Sequence, residues 1–367
     1  MDDSGLQERR ERLAAILQEC GSVCIGYSGG VDSVFLAALA VDVLGRDRVL
    51  AVTGRSAAYP AVQHRMAVEC AARFGIPHHE IDTRELDDPD YAANPGDRCY
   101  FCKSELWDQL GAVAQARGLR TVVDGSNLDD AGDHRPGARA ALERGVRSPL
   151  REAGCTKADI RAMSRVMGLP TWDQPASPCL ASRLRYGVAV TRERLTQVEE
   201  AEAMLRGRGL RELRVRHHGD VARVEVAPAE LEVATAVLAA AHGSLCALGF
   251  GRVLLDVEGY RRGALNEGLV QLEPARAGAP EDAIRQRARR PDGSGPSDPV
   301  AALRGLMERE SLDAAVSAAG PDAEVAVFRG TPALRPRLAA LAPAVRALGF
   351  EYMALELVDG THSYEDS

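Results

Sequence analysis

The sequence predicts an α/β protein, with a parallel-sheet domain, a small α+β domain and a C-terminal extension. Three observations predict it. Short apolar runs alternate with helical patterns from the N-terminus to about Leu150, as in a parallel sheet covered by helices on both faces. A glycine turn, Ser28-Gly29-Gly30, joins an apolar strand to an apolar helix. The chain has 367 residues, more than one core usually organises.

In chain order, Val23 to Tyr27 reads as a short buried strand and Val34 to Leu44 as a helix apolar on most faces. Between them the Ser-Gly-Gly turn opens the helix. The first helical N–H groups lack partners inside the helix, and the helix dipole is positive there. Two glycines let the backbone wrap closely around an anion, so the stretch predicts a phosphate cradle. Val49 to Thr53 is a second strand, and Pro60 to Phe74 a helix with proline in its first turn, ended by Gly75. His78 to Asp82 is a third strand, Lys103 to Arg117 a helix and Thr121 to Asp124 a fourth strand, followed by Gly125-Ser126-Asn127. Ligands of such sheets bind at the carboxyl ends of the strands, where Ser28, Thr53 and Gly125 lie.

Thr156 to Met167 is a helix closed by Gly168 and Pro170, and Pro175 to Gly187 an irregular loop. A helix (Thr191 to Arg206), two strands (Leu213 to Arg216, Val221 to Val226), a helix (Pro228 to Ala241) and a strand (Val253 to Val257) make the small domain. The polar Gly/Pro-rich stretch from about Ala275 to Pro299 reads as a linker. The expected boundaries are 1–170, 171–274, 275–299 and 300–367. Beyond the linker, Ala347-Leu348-Gly349-Phe350 repeats Ala247-Leu248-Gly249-Phe250, and each copy precedes an apolar strand. The extension thus reads either as a degenerate copy of the small domain or as chance likeness between alanine-rich helices. Arg214, Arg216, Arg252, Arg261 and Arg262 have no evident counterparts in it.

No apolar run of ~18 residues predicts a membrane span. The charged start MDDSGLQERRERL reads as a helix rather than a signal peptide, so a cytoplasmic protein is expected. A formal charge of −8 argues against a nucleic-acid partner. The eight cysteines (20, 24, 70, 99, 102, 155, 179 and 246) are then reduced thiols or ligands rather than disulfides. Cys20, Cys24, Cys70 and Cys246 sit in apolar patterns and read as core residues.

Cys99-Tyr100-Phe101-Cys102 at a helix start has three readings: a redox pair, half a zinc site, or part of an iron–sulfur site. No second Cys-x-x-Cys exists to complete a four-ligand zinc site. A lone pair plus one isolated cysteine suits a three-thiolate cluster with one open iron. The third candidate is Cys179, held in a stiff loop by Pro175 and Pro178; Cys155 competes.

The stretch Ser28-Gly29-Gly30-Val31-Asp32-Ser33 lacks the Walker spacing and lysine. It resembles instead the signature of the PP-loop ATP pyrophosphatases, whose fold is adenine nucleotide alpha hydrolase-like. SGGVDS, NPGDRCYFCK, DGSNLDDAGDHRPG, PASPCLASRLRYG and LLDVEGYRRGALNE occur in order, and together they resemble the LarE family from about Leu6 to Leu269. These are ATP-dependent sulfur transferases of nickel-pincer cofactor synthesis. The resemblance implies that Ser28, Gly29, Gly30, Val31, Asp32, Ser33, Thr53, Gly125 and Asn127 hold ATP, with Mg²⁺. It implies adenylation of a carboxylate of pyridinium-3,5-biscarboxylic acid mononucleotide, then displacement of AMP by sulfur. Asp32 serves the metal or caps the helix, and Asp129 and Asp130 assist or cap a turn.

Some members sacrifice the sulfur of a cysteine four residues before the Ser-Arg of the loop. Here Ser182-Arg183 places Pro178 at that position, with the cysteine one residue later. Members with Cys-x-x-Cys and a PCLxSR loop hold a [4Fe-4S] cluster, and Cys99, Cys102 and Cys179 match that type. Ser182, Arg183 and Glu202 join Cys179 and Asp32 as catalytic candidates. Arg214 and Arg216 point to one strand face and match the family's arginine pair for the substrate phosphate. Homo-oligomers and other proteins of nickel-pincer synthesis are the implied partners. A tRNA thiolase, an amide-forming synthetase, or a metal carrier using His78-His79 and His217-His218 are the competing readings.

Overall fold

The computed structural model describes residues 3–132, 136–175, 177–261 and 298–357. They divide into two compact units, Met1–Cys179 with Val190–Arg192, and Leu180–Ala189 with Glu193–Ser367.

The first unit begins with helix α1 (Asp3–Cys20), strand β1 (Val23–Gly26) and helix α2 (Val31–Leu44). Helix α2 is apolar almost all round because it is buried almost all round; Val34, Phe35, Leu36 and Ala37 have no exposed surface. Strand β2 (Val49–Arg55), α3 (Ala61–Arg73) and β3 (His78–Asp82) follow. Pro60 is the cap of α3 rather than part of its first turn. Next come the short α4 (Pro89–Ala92), α5 (Arg98–Ala116) and β4 (Thr121–Val123). Helix α5 starts at Arg98, five residues before the expected Lys103, so both cysteines of Cys-x-x-Cys lie in its opening turns. Helices α6 (Pro136–Glu143), α7 (Pro149–Glu152) and α8 (Lys157–Val166) complete the unit. Thr156 and Asp159 close α8 with a reciprocal capping box.

Among the described residues the sheet order is β3-β2-β1-β4, all parallel, with Val23 opposite both Val49 and Thr121. Side chains alternate between two cores. Val23 and Ile25 pack with α1, α2 and α8 on one face. Cys24, Leu50 and Val52 pack with Trp107 and Leu110 of α5 on the other. This is the parallel, doubly covered sheet that the alternation predicts.

The second unit contains α9 (Arg192–Gly207, bar its first residue), β5 (Leu213–His218), β6 (Val221–Val226), α10 (Leu231–Ala247) and β7 (Arg252–Asp256). Helix α10 runs past the expected end at Ala241 because Leu245 continues its buried face. The expected linker lies outside the described residues up to 297. Beyond it come α11 (Pro299–Arg309), β8 (Ala315–Ala319), β9 (Val325–Gly330), α12 (Arg335–Ala340), α13 (Ala342–Ala347) and β10 (Tyr352–Leu357).

These strands form one sheet, ordered β5-β6-β7-β10-β9-β8. The pairing is the same read from either end: antiparallel, then parallel, with an antiparallel β7–β10 seam. At the seam Leu255 lies opposite Leu355. Gly249 and Gly349 share a φ of 101°. Gly251 N donates to Asp220 O (2.7 Å), and Glu351 N to Glu324 O (2.9 Å), in matching turns. Leu213, Val215 and Val224 face the helices, and so do Phe328 and Met353.

Candidate active site

The carboxyl end of β1 turns sharply at Gly29, whose φ of +68° suits glycine. A Cβ there would stand 2.7 Å from that of Ala67, so no side chain fits. The first hydrogen bond of α2 runs from Val34 N to Gly30 O (3.0 Å), which leaves the earlier N–H groups ahead of the helical ladder. Ser33 ties the turn together. Its Oγ accepts from Ser28 N (3.2 Å), donates to Gly30 O (3.2 Å) and lies 3.2 Å from Ser28 Oγ. Tyr59 Oη donates to Ser28 O (3.0 Å). Thr53 Oγ1 donates to Tyr27 O (2.7 Å) and meets His78 Nε2 (2.8 Å), so Thr53 braces the cradle from the neighbouring strand.

After β4, Gly125 passes so close that a Cβ there would lie 3.3 Å from Ser33 N. Asn127 is buried; its Oδ1 accepts from Asp129 N (3.0 Å), and its own N–H donates to Asp130 (3.0 Å). Asp129 also accepts from Lys157 N (2.8 Å), so both aspartates organise the loop. Lys157 Nζ donates to Asp32 Oδ2. The other oxygen, Asp32 Oδ1, is buried without a hydrogen-bond partner among the described residues. Burial pushes the Asp32 carboxyl up, and Lys157 opposes the shift. An orphaned hard oxygen beside an anion cradle fits Mg²⁺. Sequence reasoning missed Lys157 and Tyr59, which come from distant segments with no motif of their own, and offered His78 only as a metal ligand, not as the partner of Thr53.

In the same unit Cys99, Cys102 and Cys179 lie near enough for the charge of Cys179 to push up the thiols of the other two. Burial pushes the Cys102 thiol up; Glu85, Cys179 and Cys99 add to the shift, and Lys103 opposes it. Tyr91, buried nearby, feels both Cys179 and Cys102. Cys155 lies in the apolar core instead, where burial pushes its thiol up to about 11. Cys20, Cys24 and Cys70 are buried too, while Cys246 is half-buried. Among the described residues no three His, Cys, Asp or Glu side chains are arranged to hold one metal ion. The donor chemistry, three soft thiols with no fourth, nonetheless suits an iron–sulfur cluster with one open iron.

In the second unit Arg183 donates to both oxygens of Glu202, from Nε (2.8 Å) and Nη2 (3.1 Å). Glu202 also accepts from Arg206 Nη2 (2.7 Å) and Val215 N (3.2 Å). Burial would raise its carboxyl, but Arg183, then Arg206 and Arg214, outweigh this and hold it down to about 2. Arg183 Nη1 donates to Ser182 Oγ (3.2 Å). Arg214 and Arg216 lie on the sheet face away from the helices. The Arg214 guanidinium stands 5.1 Å over the Tyr260 ring. Arg216 Nε and Nη2 both reach Glu225 Oε2 (2.9 and 2.8 Å), and its Nη1 donates to Ser182 O (2.8 Å). The neighbours His217 and His218 point to opposite faces, toward Gln197 (3.0 Å) and Glu324 (2.7 Å).

No described helix is long and apolar enough to cross a membrane. The NAD synthase family pattern matches residues 6–91. An uncharacterized protein of Synechocystis sp. is 43% identical over 268 residues, which cover 72% of this chain and 100% of that relative. The pyridinium-3,5-bisthiocarboxylic acid mononucleotide synthase of Lactiplantibacillus plantarum is 34% identical over 270 residues, 74% of this chain and 98% of the relative. An NH₃-dependent NAD⁺ synthetase of Methanopyrus kandleri is 42% identical over 78 residues, 21% of this chain and 28% of its own.

Proposed function

The chain belongs to the LarE family, that of the pyridinium-3,5-bisthiocarboxylic acid mononucleotide synthases, and we propose that it uses ATP to exchange a carboxylate oxygen of a pyridinium mononucleotide for sulfur. The substrate on this reading is pyridinium-3,5-biscarboxylic acid mononucleotide. The observation that carries it is the cradle at the start of α2, where two glycines, two serines and an orphaned carboxylate oxygen surround the N–H groups that precede the first helical hydrogen bond.

A carboxylate is a poor electrophile. Its oxygen attacks the α-phosphorus of ATP, the bond from that phosphorus to pyrophosphate breaks, and an acyl-adenylate results. Sulfur then attacks the acyl carbon, and AMP leaves with the bonding pair. Ser28 to Ser33 hold the phosphates, Thr53 braces the turn, and Gly125 and Asn127 shape the opposite wall. Asp32 would hold Mg²⁺, which supplies positive charge for the phosphates.

Cys99, Cys102 and Cys179 would hold a [4Fe-4S] cluster, whose open iron supplies a place for sulfide. The support for this donor is that Cys179 lies near enough to the Cys-x-x-Cys pair to push both of its thiols up. Arg214 and Arg216 take the mononucleotide phosphate, for which guanidinium forks are suited. Ser182 and Arg183 lie beside them, and Glu202 acts by fixing Arg183 rather than by carrying a proton, since it stays ionised.

Incubation with ATP, Mg²⁺, a sulfide source and the biscarboxylate mononucleotide tests the reading. The expected result is pyrophosphate and AMP in step with a product whose mass shows one oxygen replaced by sulfur. Amidation with ammonia in place of thiolation would instead favour a reaction like that of the NAD⁺ synthetases.

A further inference from the structure

The face of the second sheet that carries Arg214 and Arg216 also holds a buried chain of charges that crosses the β7–β10 seam. In the β5–β6 register Arg216 lies directly opposite Arg223. Two like charges in that position repel. Glu225 lies between them and gives one oxygen to each: Oε2 to Arg216 (2.8 Å) and Oε1 to Arg223 Nη2 (2.9 Å). One carboxylate cannot neutralise two buried guanidiniums, so Arg223 needs further partners. Asp256 on β7 is one.

The remaining partners involve the extension. The Arg223 guanidinium stands 4.0 Å over the ring of Tyr352 on β10. Its Nε donates to His218 Nε2 (3.2 Å). That nitrogen must then be an acceptor, so the His218 proton sits on Nδ1 and is donated to Glu324 Oε1 (2.7 Å). Glu324 itself is fixed by Asp322 N (3.1 Å). Arg223, Glu225, His218 and Glu324 are each at most 3% exposed, so a lost partner is not replaced by water without cost.

The matching turns and registers of the two halves show what the extension kept. By register, Ser317 stands where Arg216 does, Ala315 where Arg214 does, and Val327 where Arg223 does. The phosphate-seeking side chains are gone from the extension. Glu324 and Tyr352, which reach across the seam, are present. The 268 residues that match the Synechocystis relative cover all of it, so the rest of this chain has no counterpart there.

We propose that Tyr352 and Glu324 of the extension are positioning residues that hold Arg223, and through Glu225 hold Arg216, for the substrate phosphate. The proposal rests on the phosphate reading of Arg214 and Arg216. With Tyr352 or Glu324 altered, Arg223 draws more on Glu225, and Arg216 loses the carboxylate that aims its fork.

The test is binding by calorimetry to the full chain, with pyridinium-3,5-biscarboxylic acid mononucleotide and with the nucleoside left after its phosphate is removed. The readout is the ratio of the two affinities, which a general loss of stability does not change. Tyr352→Leu and Glu324→Gln are each expected to lower the preference for the nucleotide by roughly tenfold, the worth of one weakened charge-assisted hydrogen bond. Glu324→Gln keeps the shape of the seam and serves if Tyr352→Leu folds poorly. Arg216→Ala separates the outcomes. If it abolishes the preference while Tyr352→Leu and Glu324→Gln retain the wild-type ratio, the positioning role is overturned and the phosphate site stands. If Arg216→Ala also leaves the ratio unchanged, the phosphate site and the positioning role both fall.

Discussion

Arg183 and Glu202 form a two-pronged ion pair, 2.8 and 3.1 Å long, with both side chains almost wholly out of water. Removing one partner strands the other charge. Glu202→Ala is expected to cost about 3–5 kcal/mol in chemical unfolding, whereas the double change Arg183→Met with Glu202→Leu costs much less. Equal losses in both would show that the pair is not the source of the effect.

Much of the first unit was legible because β1, β2 and β4 are short and largely apolar and its helices end at glycines. The SGGVDS turn needed only local sequence to be read as a cradle. What escaped was non-local. Nothing near Asp32 announces Lys157, which arrives from α8. Arg223 and Glu225 drew no notice in the strand Val221 to Val226, because only the β5–β6 register sets them against Arg216. The likeness of the ALGF segments was visible; the joining of their strands into one sheet at Leu255 and Leu355 was not, since strand order is fixed by tertiary pairing.

Gly29→Ala should damage both stability and ATP binding. It puts a Cβ on a residue at φ +68° and 2.7 Å from the Ala67 Cβ. A loss of about 1–3 kcal/mol is expected from the backbone strain alone, with weaker nucleotide binding by calorimetry. Wild-type ATP affinity in this variant would contradict the cradle.

Asp32→Asn removes the charge beside the phosphate cradle while keeping its shape. Substrate-dependent pyrophosphate release should fall by about 10²–10³, the usual scale for a lost electrostatic contact in such sites, and the Mg²⁺ needed for half-maximal rate should rise. An unchanged Mg²⁺ dependence would reduce Asp32 to a partner of Lys157.

Stability should decline on mild acidification. Burial holds His217 and His218 at about 4; Arg194 adds to this on His217, and Arg223 on His218, where Glu324 opposes. Free histidine titrates near ~6.5, so between that pH and 4 the unfolded chain binds more protons and stability falls as pH drops. Asp256, pushed up to about 6 by burial, takes its proton first in the folded state and offsets part of the loss below pH 6. Each histidine contributes a slope of up to about 1.4 kcal/mol per pH unit, measurable by urea unfolding at pH 7, 6 and 5. Equal stability across that range would mean that these imidazoles are not held neutral.

The most direct test of sulfur delivery at Cys179 is iron and acid-labile sulfide content, with an absorption spectrum, of protein purified without oxygen. The account predicts about four irons per chain in the wild type, as a [4Fe-4S] cluster requires, and their loss in both Cys99→Ala and Cys179→Ala. Iron-free wild-type protein that still thiolates the substrate, with the mass of one H₂S lost at Cys179 after turnover, would contradict the cluster and make Cys179 itself the donor.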